Sequence, residues 1–270
     1  MRFNKVAGIA ASTFFSGALV LGLATSAGAA PDLGSLSGSI GGGGGGVGDC
    51  STVEYTTPDK LNGWSTPGDE TAATIGAVTD GPLGAGALTF EQSNKGTSLY
   101  KNAAGVKLST LVDAQGKLTD IGYSYLTDGA APALQLRILG ANYDTEGDGF
   151  ATIVWTPANG DGSKWLTATP GDSDQYWVTR DIRGVEGVRD GEALPRNERT
   201  TLKNIIAMNP DATLIEYGVQ QTKENAATGV AVDGFVFGCT TTDFELVAPA
   251  AVPAQASPLA ALTNLFGGLS

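Results

Sequence analysis

The sequence predicts an all-β chain, an antiparallel β-sandwich with one short helix and one disulfide. Three observations lead there. Residues 50–245 hold nine short runs rich in β-branched and aromatic residues, each bounded by Gly, Pro, Asp or Asn. Only one stretch in that zone carries a helical stripe. The chain has two cysteines, Cys50 before the first run and Cys239 after the last. Strands whose ends return to one another would let them pair.

The expected strands are Ala72–Val78, Ala87–Gln92, Ser98–Lys101, Ile121–Leu126, Ala133–Leu139, Phe150–Thr156, Tyr176–Asp181, Thr213–Gln220 and Val230–Gly238. In Ala133–Leu139, Leu134, Leu136 and Ile138 alternate with Gln135 and Arg137, which assigns one face to a core and the other to polar contacts. Glu216 and Gln220 share one face of Thr213–Gln220 by the same two-residue period. The helix is expected over Thr200–Met208, with Leu202, Ile205 and Ile206 on its apolar stripe and Asn209-Pro210 to stop it.

Composition divides the rest. Residues 1–29 read as a secretory signal peptide: Arg2 and Lys5, an apolar stretch from Val6 to Leu23, then Ala27-Gly28-Ala29 as the cleavage pattern. An uncleaved membrane anchor is the competing reading. Residues 30–49, with six glycines from Gly41 to Gly46, read as a flexible linker. Residues 246–270 form an uncharged tail rich in Ala, Pro and Leu. There Ser257-Pro258 starts a helical spacing of Leu259, Leu262, Leu265, Phe266 and Leu269, fit to dock on a partner or a lipid surface; a disordered tail is the alternative. The expected location is outside the cell, free or associated with the envelope. In an oxidising compartment Cys50 and Cys239 would close a loop worth about 5 kcal/mol at most in the chain-entropy model; two free thiols are the alternative.

The segment from Pro210 to Gln220, followed by Gly229-Val230-Ala231-Val232-Asp233-Gly234-Phe235, resembles the closing strands of jelly-roll carbohydrate-binding modules, as does Gly149–Trp155. The resemblance implies a jelly-roll-like sandwich, and it implies a fold more than a ligand.

Several chemistries are excluded. The chain has no histidine, which removes Ser-His-Asp and Cys-His catalysis. No phosphate-cradling or dinucleotide fingerprint is present. The formal charge of −12 becomes −14 once Arg2 and Lys5 leave with the signal, and so acidic a chain repels nucleic acid and anionic lipid. Carboxylate-only glycoside cleavage survives, with Glu216 and Asp233 as the candidate pair.

Three groups of residues are candidates for binding. Trp155, Trp165, Tyr176 and Trp177 lie around a polar loop and suit stacking against sugar rings, with Gln135, Arg137, Glu216 and Gln220 as hydroxyl partners if their strands are neighbours. Core packing is the competing reading for Trp155. Asp144, Glu146 and Asp148, at alternate positions before Gly149, resemble the start of a Ca²⁺ loop, but the twelfth position is Trp155, and an acidic turn competes. Five of the seven arginines fall between Arg180 and Arg199, intermixed with as many acids, which reads better as a salt-bridged loop than as an anion site. The expectation is a secreted, non-catalytic β-sandwich that binds polysaccharide. The alternatives are a structural or adhesion protein of the cell envelope, and a carboxylate-dependent glycoside-cleaving enzyme.

Overall fold

The computed structural model describes residues 52–143, 148–225 and 227–249. The signal, the linker, Cys50, Asp144, Glu146 and the tail beyond Pro249 lie outside the described residues.

Fifteen strands build two sheets. In chain order they are β1 Thr52–Thr56, β2 Trp64–Ser65, β3 Thr71–Ala72, β4 Thr74–Ala77, β5 Gly86–Phe90, β6 Thr97–Lys107, β7 Ile121–Leu126, β8 Ala133–Leu139, β9 Ala151–Trp155, β10 Leu166–Ala168, β11 Gln175–Val178, β12 Thr200–Thr201, β13 Thr213–Gln221, β14 Val230–Phe237 and β15 Thr240–Phe244. Among the described residues one α-helix, α1 (Leu202–Met208), interrupts them. The β-sandwich expectation holds. Two strand pairs, β1 with β15 and β3 with β6, are parallel; the others are antiparallel.

The eight-stranded sheet runs β12-β11-β9-β8-β13-β6, with β2 and β3 side by side on the far edge of β6. In the seven-stranded sheet β14 is central. Its one edge takes β7 and then β10; its other takes β5 and β4 on the first half and β15 and β1 on the second. Leu134, Leu136 and Ile138 of β8 and Ala151 and Ile153 of β9 are fully buried in the core between the sheets. Aromatic rings fill the middle. Trp64 meets Phe235 and Phe244 edge-on at 5.4 and 5.3 Å, and Tyr217 stacks on Phe237 at 3.9 Å. Helix α1 buries Leu202, Ile205, Ile206 and Met208; the Thr201 side chain caps it by accepting from the Asn204 amide.

The expected strands differ from the observed ones both in the interior, where β6 runs on to Lys107 and the short β2, β10 and β12 were not expected, and near the termini. The last strand is not Val230–Gly238. Cys239 lies in the turn that follows, and β15 returns from it. Thr240-Thr241-Thr242-Asp243-Phe244 has one large apolar residue, so no hydrophobic period announces it. The same holds for β1, where Val53 and Tyr55 are exposed and Thr56 is buried, the reverse of a core pattern.

Gly218 of β13 lies opposite Gln135 of β8 and Tyr100 of β6. A Cβ there would fall 2.2 Å from the Leu99 carbonyl oxygen and 2.8 Å from the Tyr100 Cα, both backbone atoms. Gly218→Ala must therefore push β6 and β13 apart. We expect it to cost about 1–3 kcal/mol in urea unfolding; an unchanged midpoint would contradict the close approach.

Candidate functional site

The outward face of the eight-stranded sheet carries a connected set of polar side chains. Its layout follows from strand register. Trp177 of β11 is opposite Val154 of β9, Val154 opposite Gln135, Gln135 opposite Gly218, and Gly218 opposite Tyr100. One row of side chains thus crosses five strands. The adjacent row holds Thr152, Arg137, Glu216 and Asn102.

A bulge decides that Glu216 belongs here. Leu214 pairs with Ile138 and Glu216 with Arg137, so Ile215 is an extra residue relative to β8. Leu214, Tyr217 and Val219 are buried in the core cluster. Without the extra residue Glu216 would stand opposite Leu136 and face the core. With it, Glu216, Gly218 and Gln220 all face outward beside Gln135 and Arg137.

The side chains then form two linked arrays. The Tyr100 hydroxyl donates to Gln135 Oε1 at 2.8 Å, Gln135 Nε2 to Gln220 Oε1 at 2.7 Å, and Gln220 Nε2 to Glu70 Oε2 at 2.8 Å. The three bonds run in one donor direction and end on a carboxylate, so each polarises the next. Gly218 makes this possible, because with no side chain it lets Tyr100 reach over β13 to Gln135. Burial first, and the Glu70 charge second, hold the Tyr100 hydroxyl far above its usual pKa, which keeps it a hydrogen donor. Beside this chain, Arg137 Nη1 pairs with Glu216 Oε2 at 2.7 Å. The Arg137 guanidinium also lies between the rings of Tyr100 and Phe150, each 5.0 Å away. Gln135 and Tyr100 are buried, while Glu70, Phe150, Trp177, Arg137, Glu216 and Gln220 are half-buried.

Gln135, Arg137, Glu216 and Gln220 are therefore brought together as the sequence suggested. The aromatic set is not. Trp155 and Tyr176 sit in the core cluster, 6.5 Å apart by ring centroids, and neither presents an open face. Trp165 precedes β10, which pairs with β7 in the other sheet, and its indole N–H donates to the Thr79 carbonyl. Trp177 alone of the four stands on the polar face. Tyr100, Phe150 and Glu70 join it without having been expected. Tyr100 alternates with buried Leu99, which is a usable signal once β6 is known to neighbour β13; Glu70 lies in a loop and had none. Asp148 accepts from the Phe150 amide at 3.0 Å, as an acidic turn would. No family model matches the chain, and neither a curated protein nor a solved structure matches it.

Asp233 is far from this face. It pairs with Ser124 in the seven-stranded sheet, while neighbouring Val232 faces the core, so Asp233 points away from Glu216 across both sheets. Stacked sheets are themselves about 10 Å apart, so Glu216 and Asp233 cannot flank one glycosidic bond. Asp233 instead lies beside Asp243. Phe244 donates its amide to Asp233 Oδ1 at 3.1 Å, but Asp233 Oδ2 and Asp243 Oδ1 are buried with no hydrogen-bond partner among the described residues. Burial raises the pKa of both; the Asp233 and Glu245 charges add to it for Asp243, which reaches about 6 against the usual 3.8. The folded chain thus holds this proton more tightly than the unfolded one. Stability is greatest below pH 4 as far as this group is concerned, and it is lost as pH rises to about 6. Asp243→Asn, which mimics the protonated acid, should raise the denaturation midpoint at pH 7.5 and flatten its change between pH 4.5 and 7. A variant less stable than wild type at every pH would contradict the assignment.

Proposed function

We propose that this is a secreted, non-catalytic protein that binds carbohydrate on the outward face of its eight-stranded sheet. One observation carries the reading: Gln135 with Gln220, and Arg137 with Glu216, form two hydrogen-bonded pairs side by side on one face, flanked by the half-buried rings of Trp177 and Phe150. Sugars need planar apolar surface for their C–H faces and fixed polar groups for their hydroxyls. The array supplies donors and acceptors already locked by one another, so little rotamer entropy is left to lose on binding. Arg137 spends one N–H on Glu216 and keeps others for a ligand.

Export would bring the two cysteines into an oxidising compartment, and we infer that Cys50 pairs with Cys239. In support, the Thr52 amide donates to the Cys239 carbonyl at 3.2 Å, and Thr52 lies opposite Thr240, two residues after Cys50. Peptide mapping without reductant should recover Cys50 and Cys239 in one linked pair, and reduction should lower the unfolding midpoint. Two alkylatable thiols in the exported protein would contradict the pairing.

Binding is tested by pull-down of residues 30–270 on plant, microbial and host polysaccharides. Saturable binding to at least one class is expected. Trp177→Ala should weaken it about tenfold, since an aromatic contact is worth roughly 0.5–1.5 kcal/mol and 1.4 kcal/mol is a factor of ten. Gln220→Ala should also weaken it, and Trp165→Ala should not. Binding that ignores Trp177 and Gln220 would rule out this face.

A further inference from the structure

The geometry points to an anionic ligand: the polysaccharide bound on this face carries acidic groups, received in a cleft beside it by Arg180 and Arg196. The inference rests on the carbohydrate reading above and adds the ligand's charge to it. A cleft of about 400 Å³ is lined by Tyr143, Thr179, Arg180, Asp181, Arg183 and Arg196, among others. It lies beside the polar face, next to Thr152. The Thr179 amide donates to the Thr152 carbonyl at 3.0 Å, its hydroxyl accepts from the Thr152 amide at 2.9 Å, and Thr152 lies opposite Arg137. Two strand spacings, roughly 10 Å, therefore separate Arg137 from the cleft's near wall. The Tyr143 hydroxyl closes the gap on another side by donating to the carbonyl of Phe150, whose ring stacks on Arg137. That span suits an oligosaccharide crossing from one to the other.

Four of the loop's five arginines divide into two kinds. Arg189 pairs with Glu198, and Arg199 donates to the Gln175 carbonyl at 3.4 Å. The first is an ion pair of the kind expected of a salt-bridged loop; the second is a hydrogen bond to the backbone. The side chains of Arg180 and Arg196 have no hydrogen-bond or ion-pair partner among the described residues, although both line the same cleft. Asp181, the one carboxylate among the described residues lining it, already accepts from the Arg196 backbone amide. In a chain with 28 acidic and 16 basic residues, two unpaired guanidinium groups in one cleft are a local exception. A guanidinium presents a planar fork of donors that fits carboxylate, sulfate or phosphate oxygens in pairs. Exposed and unpaired, it loses no existing partner when an anion arrives.

Two matched pairs of polymers test this by titration calorimetry on the full exported chain: polygalacturonate against its methyl ester, and dextran sulfate against dextran. The first pair differs by carboxylate charge and the second by sulfate. The acidic member of at least one pair should bind at least tenfold tighter than its neutral partner, and the advantage should shrink with added salt. In the R180A/R196A double variant the acidic polymer should fall to the affinity of the neutral one, with the thermal midpoint unchanged. Equal binding of acidic and neutral members by wild type would overturn the anionic inference and leave the carbohydrate reading standing. An acidic preference that survives in R180A/R196A would also overturn it. Acidic binding that R180A/R196A abolishes but Trp177→Ala leaves intact would uphold the cleft as an anion site and count against the carbohydrate face.

Discussion

One inserted residue, Ile215, sets the character of the eight-stranded sheet. Strand β13 lies between β6 and β8, and its side chains must satisfy a core on one side and a polar surface on the other. A strict two-residue period starting from Leu214 would aim Glu216 inward and Tyr217 outward. The extra residue re-phases the strand. Tyr217 then joins Trp64, Phe235 and Phe237 in the aromatic centre, and Glu216 meets Arg137 outside. Core packing and surface chemistry are thus fixed by one local irregularity, and neither can be altered without the other.

Downstream of that constraint, the polar face is built to hold its shape. Buried amides and hydroxyls are costly when unpaired. Tyr100 and Gln135 are nonetheless buried on this face, and each hydrogen-bonds the other. The chain that continues through Gln220 to Glu70 anchors the loop before β3 onto the sheet. Arg137 is held from three directions, by Glu216, Tyr100 and Phe150. The half-buried members of the array are the groups that the proposed ligand would meet.

Much of this was legible in the sequence, for a definite reason. β7 and β8 were read at their observed bounds because their alternation is clean and both are flanked by core contacts. Gln135, Arg137, Glu216 and Gln220 were grouped because period-2 spacing fixes a shared face within a strand. Their convergence then needed β8 and β13 to be neighbours and β13 to be re-phased at Ile215; the first was a natural guess from the sequence, and the second left no trace in it. The aromatics failed for the opposite reason. Trp155, Trp165, Tyr176 and Trp177 are near in sequence, but neighbours in a strand point to opposite faces, and Trp165 precedes a strand of the other sheet. β15 was invisible because its threonines are held by pairing with β14 and β1 and not by an apolar stripe. Asp233 looked like a partner for Glu216 only while the two strands were not assigned to separate sheets.

The central claim is that the face carrying Trp177 is where the ligand sits. The chain's four tryptophans make a direct test, because each indole N–H gives its own nuclear magnetic resonance signal. Trp64 and Trp155 lie in the core, Trp165 is tied to Thr79 in the loop after β4, and Trp177 stands on the polar face. On titration with fragments of a polysaccharide the protein retains, the Trp177 indole signal should move while the other three stay in place. A shift of Trp165 with Trp177 unmoved, or saturable binding that moves none of the four, would contradict the account.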